Sequence, residues 1–157
     1  MIDPTAIVAE QAAIHGDVDI GAHCVVHPYA TLDGRLGPIR VEEHCIVCER
    51  SQLRPSTAAG LVVGHHCTVE AGCRIACSIG SVSTIEARSS VGAAVGRGCI
   101  ITPLQEVTEA VADGSILFSD GRLAVLEDVD EAQDMRGQEA HVAALVTIMG
   151  RGILKLS

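Results

Sequence analysis

The sequence has 157 residues, enough for about one domain, and carries a formal net charge of −9 at pH 7. This acidic balance argues against nucleic acid or an anionic membrane surface as a partner. Apolar residues make up 48% of the chain, yet it holds one Phe, one Tyr and no Trp, which excludes a core built on aromatic side chains. The first residues, Met1-Ile2-Asp3-Pro4, lack the basic region of a secretory signal, and no apolar run reaches membrane-spanning length, so we expect a cytoplasmic protein.

From the first residues onwards, every sixth residue is aliphatic across most of the chain. A period of six fits neither an amphipathic helix nor a single alternating strand, and it is typical of a parallel β-helix in which each coil stacks on the one before. We therefore predict an all-β solenoid of hexapeptide repeats over residues 1–118. The residues assigned to the inward-facing series are Ile2, Val8, Ile14, Ile20, Val26, Leu32, Val41, Val47, Leu53, Val63, Val69, Ile75, Ile79, Ile85, Val91, Val95, Ile101 and Val107.

The positions beside each aliphatic residue support this fold. Two residues earlier the side chain is usually small, as at Ala6, Ala30 and Ser83, which fits a narrow interior. One residue later a Gly or an acidic residue is frequent, as at Gly21 and Glu70, where the chain has to turn. The pattern predicts flat sheet faces joined by tight corners, with the aliphatic and the small residue both pointing inwards.

Six of the seven cysteines fall in the small inward position. There a reduced Cys behaves as a small apolar residue, so we predict structural thiols and no disulfide or zinc cluster. The exception is Cys48, which forms a C-x-x-C pair with Cys45 without a second pair at zinc-like spacing. The six inward cysteines are Cys24, Cys45, Cys67, Cys73, Cys77 and Cys99.

Irregular steps in the series predict where the solenoid departs from a uniform coil. Loop-like insertions at residues 34–38 and 54–60 lengthen two steps. The steps from Ile75 to Ile79 and from Val91 to Val95 are short, which predicts trimmed coils unless the register slips there.

The C-terminal part differs in kind from the repeats. Residues 119–136 are acidic and predict a connecting segment, and residues 137–157 predict a helix and a tail. Val142, Leu145, Val146 and Met149 occupy one helical face. We favour packing of this helix on a solenoid face, with docking onto a partner as the alternative.

Residues 63–76 resemble the metal segment of the gamma-class carbonic anhydrases, which are hexapeptide-repeat enzymes. The resemblance places Cys48, Ala71 and Ala76 at the three zinc-ligand positions of that family. Two methyl groups and one thiol do not hold zinc, so the resemblance implies no metal and no activated water there. His65 and His66 follow Gly64 at a corner, where we expect solvated side chains rather than a general base, although a neighbouring coil or subunit could orient them.

A more specific resemblance involves several motifs taken together. The runs Ile14–Gly21, Val25–Ala30, Gly37–Glu42 and Val69–Cys73, followed by Ile85-Glu86-Ala87 and Val91-Gly92, resemble the dynactin subunit 6 family over residues 2–117. This resemblance implies a left-handed β-helix and a structural role, without a catalytic residue or a cofactor. It further implies a cytoplasmic, cytoskeleton-associated protein of the dynactin pointed-end complex, which serves dynein-based microtubule transport.

The partners that this resemblance implies are dynactin subunit 5, itself a β-helix, and other pointed-end subunits including an actin-related protein. We expect contact surface where apolar residues fall outside the inward positions. Two other classes of function stay open, a homotrimer like the gamma-class carbonic anhydrases with a degenerate metal site, and a hexapeptide acyltransferase. The residues predicted to form the contact surface are Val25, Ile46, Ile100, Val142, Leu145 and Met149.

Overall fold

The computed structural model describes residues 1–125, 135–139 and 142–143, together with the backbone of residues 154–156. It is a β-solenoid of about 6 turns with parallel sheets and one short C-terminal helix, which confirms the predicted fold class. In chain order the strands are β1 Ile7–Ala9, β2 Ala13–Ile20, β3 Val25–Val26, β4 Thr31–Val41, β5 Ile46–Val47, β6 Gln52–Leu53, β7 Leu61–Val63, β8 Thr68–Val69, β9 Arg74–Ile75, β10 Thr84–Ile85, β11 Ser90–Val91, β12 Ile100–Ile101, β13 Glu106–Val107, β14 Ser115–Leu117, β15 Leu123–Val125 and β16 Leu154–Leu156. Most strands have two or three residues because each coil turns a corner after every few residues, while β2 and β4, with 8 and 11 residues, continue across a corner.

These strands form three faces around one core. Face 1 is the nine-stranded sheet, in the order β15-β14-β12-β10-β8-β5-β3-β1-β16. Face 2 contains six strands of the seven-stranded sheet, in the order β13-β11-β9-β6-β4-β2, and the seventh strand, β7, pairs with β4 on face 3. Face 3 consists of the second halves of β2 and β4, strand β7, and the parallel bridges Val63↔Ile79, Ile79↔Val95 and Val95↔Val111.

The trimmed coils predicted from the short steps are confirmed. Ile75 pairs in register with Val91 of the next coil, and Ile79 forms a parallel bridge to Val95. The residues on either side of each short step therefore still align with their counterparts on the next coil. The long steps are also accommodated without loss of register, since Ile39 to Val41 of β4 pair with Leu61 to Val63 of β7 beyond the insertion at residues 54–60. The predicted inward residues therefore stack on one another through both irregular regions.

Small polar side chains inside the solenoid link successive coils, a role that the repeat pattern alone does not predict. The Cys45 thiol donates to the carbonyl of Gly64 at 3.0 Å, and the Cys67 thiol donates to the carbonyl of Gly80 at 3.1 Å. The Ser83 hydroxyl makes the same contact with the carbonyl of Gly96 at 2.8 Å. Serine and cysteine both occur at this position, and both are small and can donate to a carbonyl on the next coil.

The two ends of face 1 are covered by antiparallel strands. Strand β15 pairs with β14 at one end, and β16 pairs with β1 at the other. These pairings satisfy edge groups that would otherwise be open to another chain. Strand β15 lies within the predicted connecting segment, so that segment is not entirely loop, and residues 126–134 lie outside the described residues.

The C-terminal helix begins earlier than predicted. Residues 135–139 and 142–143 are helical, so the expected start at 137 falls inside the helix. Val142 is 3% exposed and packs against Val25, Ile46 and Cys48 on the outer side of face 1. The favoured interpretation, a helix packed on the solenoid, agrees with this arrangement.

Candidate functional site

Three histidines occupy the same corner on three successive coils. His23, His44 and His66 have φ angles of 56°, 55° and 56°, so each lies in the left-handed region at the turn that leads into face 1. Each stands directly before an inward cysteine, which holds the ring on the outer side of the corner. Because the coils stack in register, the three rings come together.

The imidazole rings form a stacked column. The ring centroids of His23 and His44 lie 4.9 Å apart, and those of His44 and His66 lie 4.8 Å apart with an interplanar angle of 15°. His65 meets His66 edge-on, and their Nδ1 atoms are 3.0 Å apart. The ring of His44, on the neighbouring coil, thus orients the ring of His66. The sequence alone had left open whether a neighbouring coil does so.

The helix closes over this column through Gln138. Its side-chain amide donates to the carbonyls of His44 at 3.3 Å and Cys67 at 3.1 Å, and its carbonyl oxygen accepts from the hydroxyl of Thr68 at 2.9 Å. One amide side chain therefore bridges two coils and fixes the position of the helix relative to the corner.

Glu139 reaches the most buried ring of the column. Its Oε1 lies 2.9 Å from Nε2 of His66, a residue that is only 8% exposed. The hydrogen bond to His66 holds the pKa of the Glu139 carboxyl below its usual value. The expectation of a solvated corner is therefore wrong for His66, because the helix covers it.

His44 lies between the other two rings of the column and is half-buried. Burial lowers its pKa, reinforced by His66 and opposed by the nearby charge of Glu139. Its Nδ1 atom is shielded from solvent and has no hydrogen-bond partner among the described residues. His44, His66 and Glu139 each offer a ligand atom, and these atoms lie within 4.8 Å of one another.

The three positions aligned with the anhydrase zinc ligands lie away from this column. Cys48 is half-buried against Val25 and Ile46, and burial, with the charges of Glu49 and Glu70, raises the pKa of its thiol to about 12. A thiol with such a pKa stays protonated at neutral pH and is a poor metal ligand. Ala71 and Ala76 offer no donor atom.

The predicted contact residues fall into three groups. Val25, Ile46 and Val142 are 0%, 1% and 3% exposed and pack against one another within this chain, so they do not form an open surface on it. Ile100 is half-buried on face 1. Leu145 and Met149 lie outside the described residues. Contact of any of these residues with a partner stays a prediction.

Sequence reasoning missed His44, Gln138 and Glu139 as members of one site. A signal was present in the repeated dipeptides His23-Cys24, His44-Cys45 and His66-Cys67, whose cysteines all occupy the inward position. A repeated residue next to a repeated inward position has to stack on itself in a solenoid. The contribution of the helix carried no comparable signal.

Comparison with curated proteins shows similarity to dynactin subunit 6. The chain is 31% identical to dynactin subunit 6 of Xenopus tropicalis, with 46% of this chain and 41% of that protein covered. It is also 31% identical to dynactin subunit 6 of Caenorhabditis elegans, with 48% of this chain and 55% of that protein covered. The chain thus spans about half the length of the curated relatives it matches. No family model matches the sequence.

Comparison with solved structures shows the same fold in bacterial transferases. A hexapeptide transferase family protein from Anaplasma phagocytophilum has a TM-score of 0.81 and 22% identity, covering 91% of this chain and 89% of that chain. A mutant of AntD, an N-acyltransferase from Bacillus cereus, has a TM-score of 0.74 and 12% identity, covering 85% of this chain and 87% of that chain. No helix among the described residues is long and apolar enough to cross a membrane. The chain is similar to dynactin subunit 6 over about half its length, and its fold is that of the hexapeptide-repeat β-helix proteins.

Proposed function

We propose that this protein is a non-catalytic structural subunit of a dynactin-type pointed-end complex. In this role it supports dynein-based microtubule transport in the cytoplasm through contacts with other proteins. The observation that carries the proposal is the 31% identity to dynactin subunit 6 of two animals over about half the chain. The proposed partners are dynactin subunit 5, a second β-solenoid, and an actin-related protein of the pointed end.

The packing of the chain supports a structural role. Leu32, Leu53 and Ile75 are at most 1% exposed and belong to a single continuous core cluster that fills the solenoid from its first coils to its last. Such a stack of hydrogen-bonded coils is rigid and presents long flat faces, and extended surfaces of this kind suit lateral binding of another elongated protein.

Among the residues that the structure describes, two faces carry exposed side chains that suit such contacts. On face 2 the outward residues Gln52, Arg74 and Glu106 are exposed and polar. On face 3 the exposed residues Ala94 and Ala110 are small, so another backbone could approach closely there. Face 1 is partly covered by the helix, which makes faces 2 and 3 the better surfaces for a second solenoid.

The test is recovery of the tagged chain from its native cytosol under gentle conditions, followed by mass spectrometry and measurement of the mass of the complex. Comparable amounts of a second hexapeptide subunit and an actin-related protein would support the proposal. A homotrimer without these subunits would contradict it, and binding of coenzyme A by that homotrimer would support the acyltransferase alternative instead.

Matched variants locate the contact face. Ala94→Arg places a large charged side chain on face 3, and Arg74→Glu reverses a charge on face 2, while both positions are exposed and tolerate substitution. Loss of the second solenoid with one variant but not the other identifies the face. Retention of every partner with both variants would exclude faces 2 and 3 as the interface.

A further inference from the structure

We propose that His44, His66 and Glu139 bind one transition-metal ion of the Zn²⁺ class, and that the ion fastens the C-terminal helix to the solenoid. This site differs from the ligand positions aligned with the carbonic anhydrases, which are Cys48, Ala71 and Ala76. The inference does not depend on the proposed function, since it concerns a site contained within one chain.

The geometry of the cluster fits such an ion. The three ligand atoms lie within 4.8 Å of one another, and Nε2 of His66 is 2.9 Å from Oε1 of Glu139. Zinc bonds to imidazole and carboxylate are about 2.0–2.2 Å long, so atoms that share one ion lie no more than about 4.4 Å apart. The His44 ring stacks on His66 with an interplanar angle of 15°, and it has to turn so that its nitrogen points at the ion. Two imidazoles and one carboxylate leave a fourth position for water, and imidazole nitrogen favours zinc and similar metals over magnesium or calcium.

The condition of the ligands also suits metal binding. His44 has a shielded Nδ1 atom without a hydrogen-bond partner among the described residues, an unusual condition for a buried polar group. Metal coordination uses the neutral form of an imidazole such as that of His44. Glu43 and Glu139 both place negative charge near it, which favours a bound cation.

His65 supplies the outer hydrogen bond that a metal-bound imidazole needs. With Nε2 of His66 on the metal, the Nδ1–H of His66 donates to Nδ1 of His65, which lies 3.0 Å away. Such partners fix the tautomer and the orientation of a ligand histidine. Gln138, adjacent to Glu139, holds the helix against the same two coils, so the carboxylate is positioned before the ion arrives.

The experiment uses the full chain with its affinity tag removed and its metals stripped by dialysis against EDTA. Zinc affinity and stoichiometry are measured by competition with a chromophoric chelator, and Co²⁺ spectra report the coordination. The variants are His44→Asn, His66→Asn and Glu139→Gln, because Asn is among the residues that best tolerate the positive φ at the two histidines. The matched control is His23→Asn, which has the same φ and lies on the same column, outside the three ligands.

We expect one zinc per chain, with affinity reduced by at least about tenfold in each of the three variants and unchanged in His23→Asn. Zinc should also slow hydrogen exchange at residues 135–143 in the unmodified protein and not in Glu139→Gln. Absence of stoichiometric binding would overturn the proposal. Equal weakening by His23→Asn, or full binding by Glu139→Gln, would show nonspecific binding to surface histidines and would also overturn it.

Discussion

The hydroxyl of Ser83 accepts a hydrogen bond from the backbone N–H of Cys99 on the next coil at 3.0 Å while it donates to the carbonyl of Gly96 at 2.8 Å. Ser83 is 1% exposed, so both backbone groups depend on it rather than on water. The hydroxyl of Ser89 makes the same pair of bonds at the neighbouring corner. It accepts from the backbone N–H of Gln105 at 3.2 Å and donates to the backbone carbonyl of Thr102 at 3.0 Å. These side chains add hydrogen bonds between coils to those of strand pairing and to the packing of the core.

Removing the Ser83 hydroxyl should destabilise the solenoid. Ser83→Ala leaves the N–H of Cys99 without its partner, and a buried group left unpaired costs about 1–3 kcal/mol. Ser83→Cys should cost less, because the equivalent positions on both neighbouring coils, Cys67 and Cys99, carry thiols. Urea unfolding measures both variants, and the exposed Ser119→Ala serves as the control. Equal stability of Ser83→Ala and the unmodified protein would show that the hydroxyl is dispensable.

The cysteines should differ in their reactivity in the native state. All seven are free, five of them are buried, and Cys48 and Cys77 are half-buried. We expect Cys77 to react first with a thiol reagent at pH 8, because the raised pKa of about 12 keeps Cys48 protonated. Labelling followed by mass spectrometry distinguishes the sites, and Cys77→Ser should abolish the fast reaction. Rapid modification of the five buried thiols without unfolding would contradict the packing described above.

Relieving the backbone strain at Val82 should stabilise the protein. Val82 has a φ of 60°, a conformation that a β-branched residue rarely adopts. Val82→Asn should raise the free energy of unfolding by about 1 kcal/mol, since Asn tolerates this region. The matched control is Val62→Asn, the same change at a 40% exposed position within strand β7, where it should be neutral or destabilising. Thermal unfolding of both variants tests this, and a lower melting temperature for Val82→Asn would refute it.

The half-buried Glu86 should make stability depend on pH. Burial, with the nearby charge of Glu70, raises the pKa of the Glu86 carboxyl from 4.5. A raised folded-state pKa favours the folded protein at pH below 4.5, and this advantage is lost as the pH rises through the folded-state value. Glu86→Gln should therefore be more stable than the unmodified protein at pH 7 and equal to it near pH 4. A stability difference that does not change with pH would exclude this explanation, and the exposed Glu106→Gln provides the control.

The helix should come away from the solenoid without unfolding it. Val142 packs with Val25 and Ile46 in a cluster separate from the interior core. Val142→Asp buries a charge in that cluster and should release the helix, whereas Ala143→Asp places the same group at an exposed position. Hydrogen exchange should accelerate at residues 135–143 in Val142→Asp alone, with little change in the coils. Loss of protection throughout the solenoid would show that the helix is essential to the fold.

The sequence by itself determined the solenoid and its interior. A stacked coil repeats the same environment, so residues such as Val69, Ile85 and Ile101 have to recur at matching positions, and that recurrence is visible without coordinates. The inward place of the cysteines followed from the same register, as did the trimmed coils beyond Ile75. Local spacing is enough for these features because every contact that defines them repeats.

Only the tertiary structure decided what the helix covers. Glu139 contacts His66, and Val142 contacts Val25. The two residues of each pair are more than seventy residues apart in the chain, and the repeat does not relate their positions. Such single contacts leave no periodic signal, so the sequence placed Val25 and Ile46 on a free surface and His66 in solvent. The stacking of the histidines follows from the repeat, because each histidine precedes an inward cysteine. The contact with the Glu139 carboxylate depends instead on where the C-terminal helix packs, and the helix is not part of the repeat.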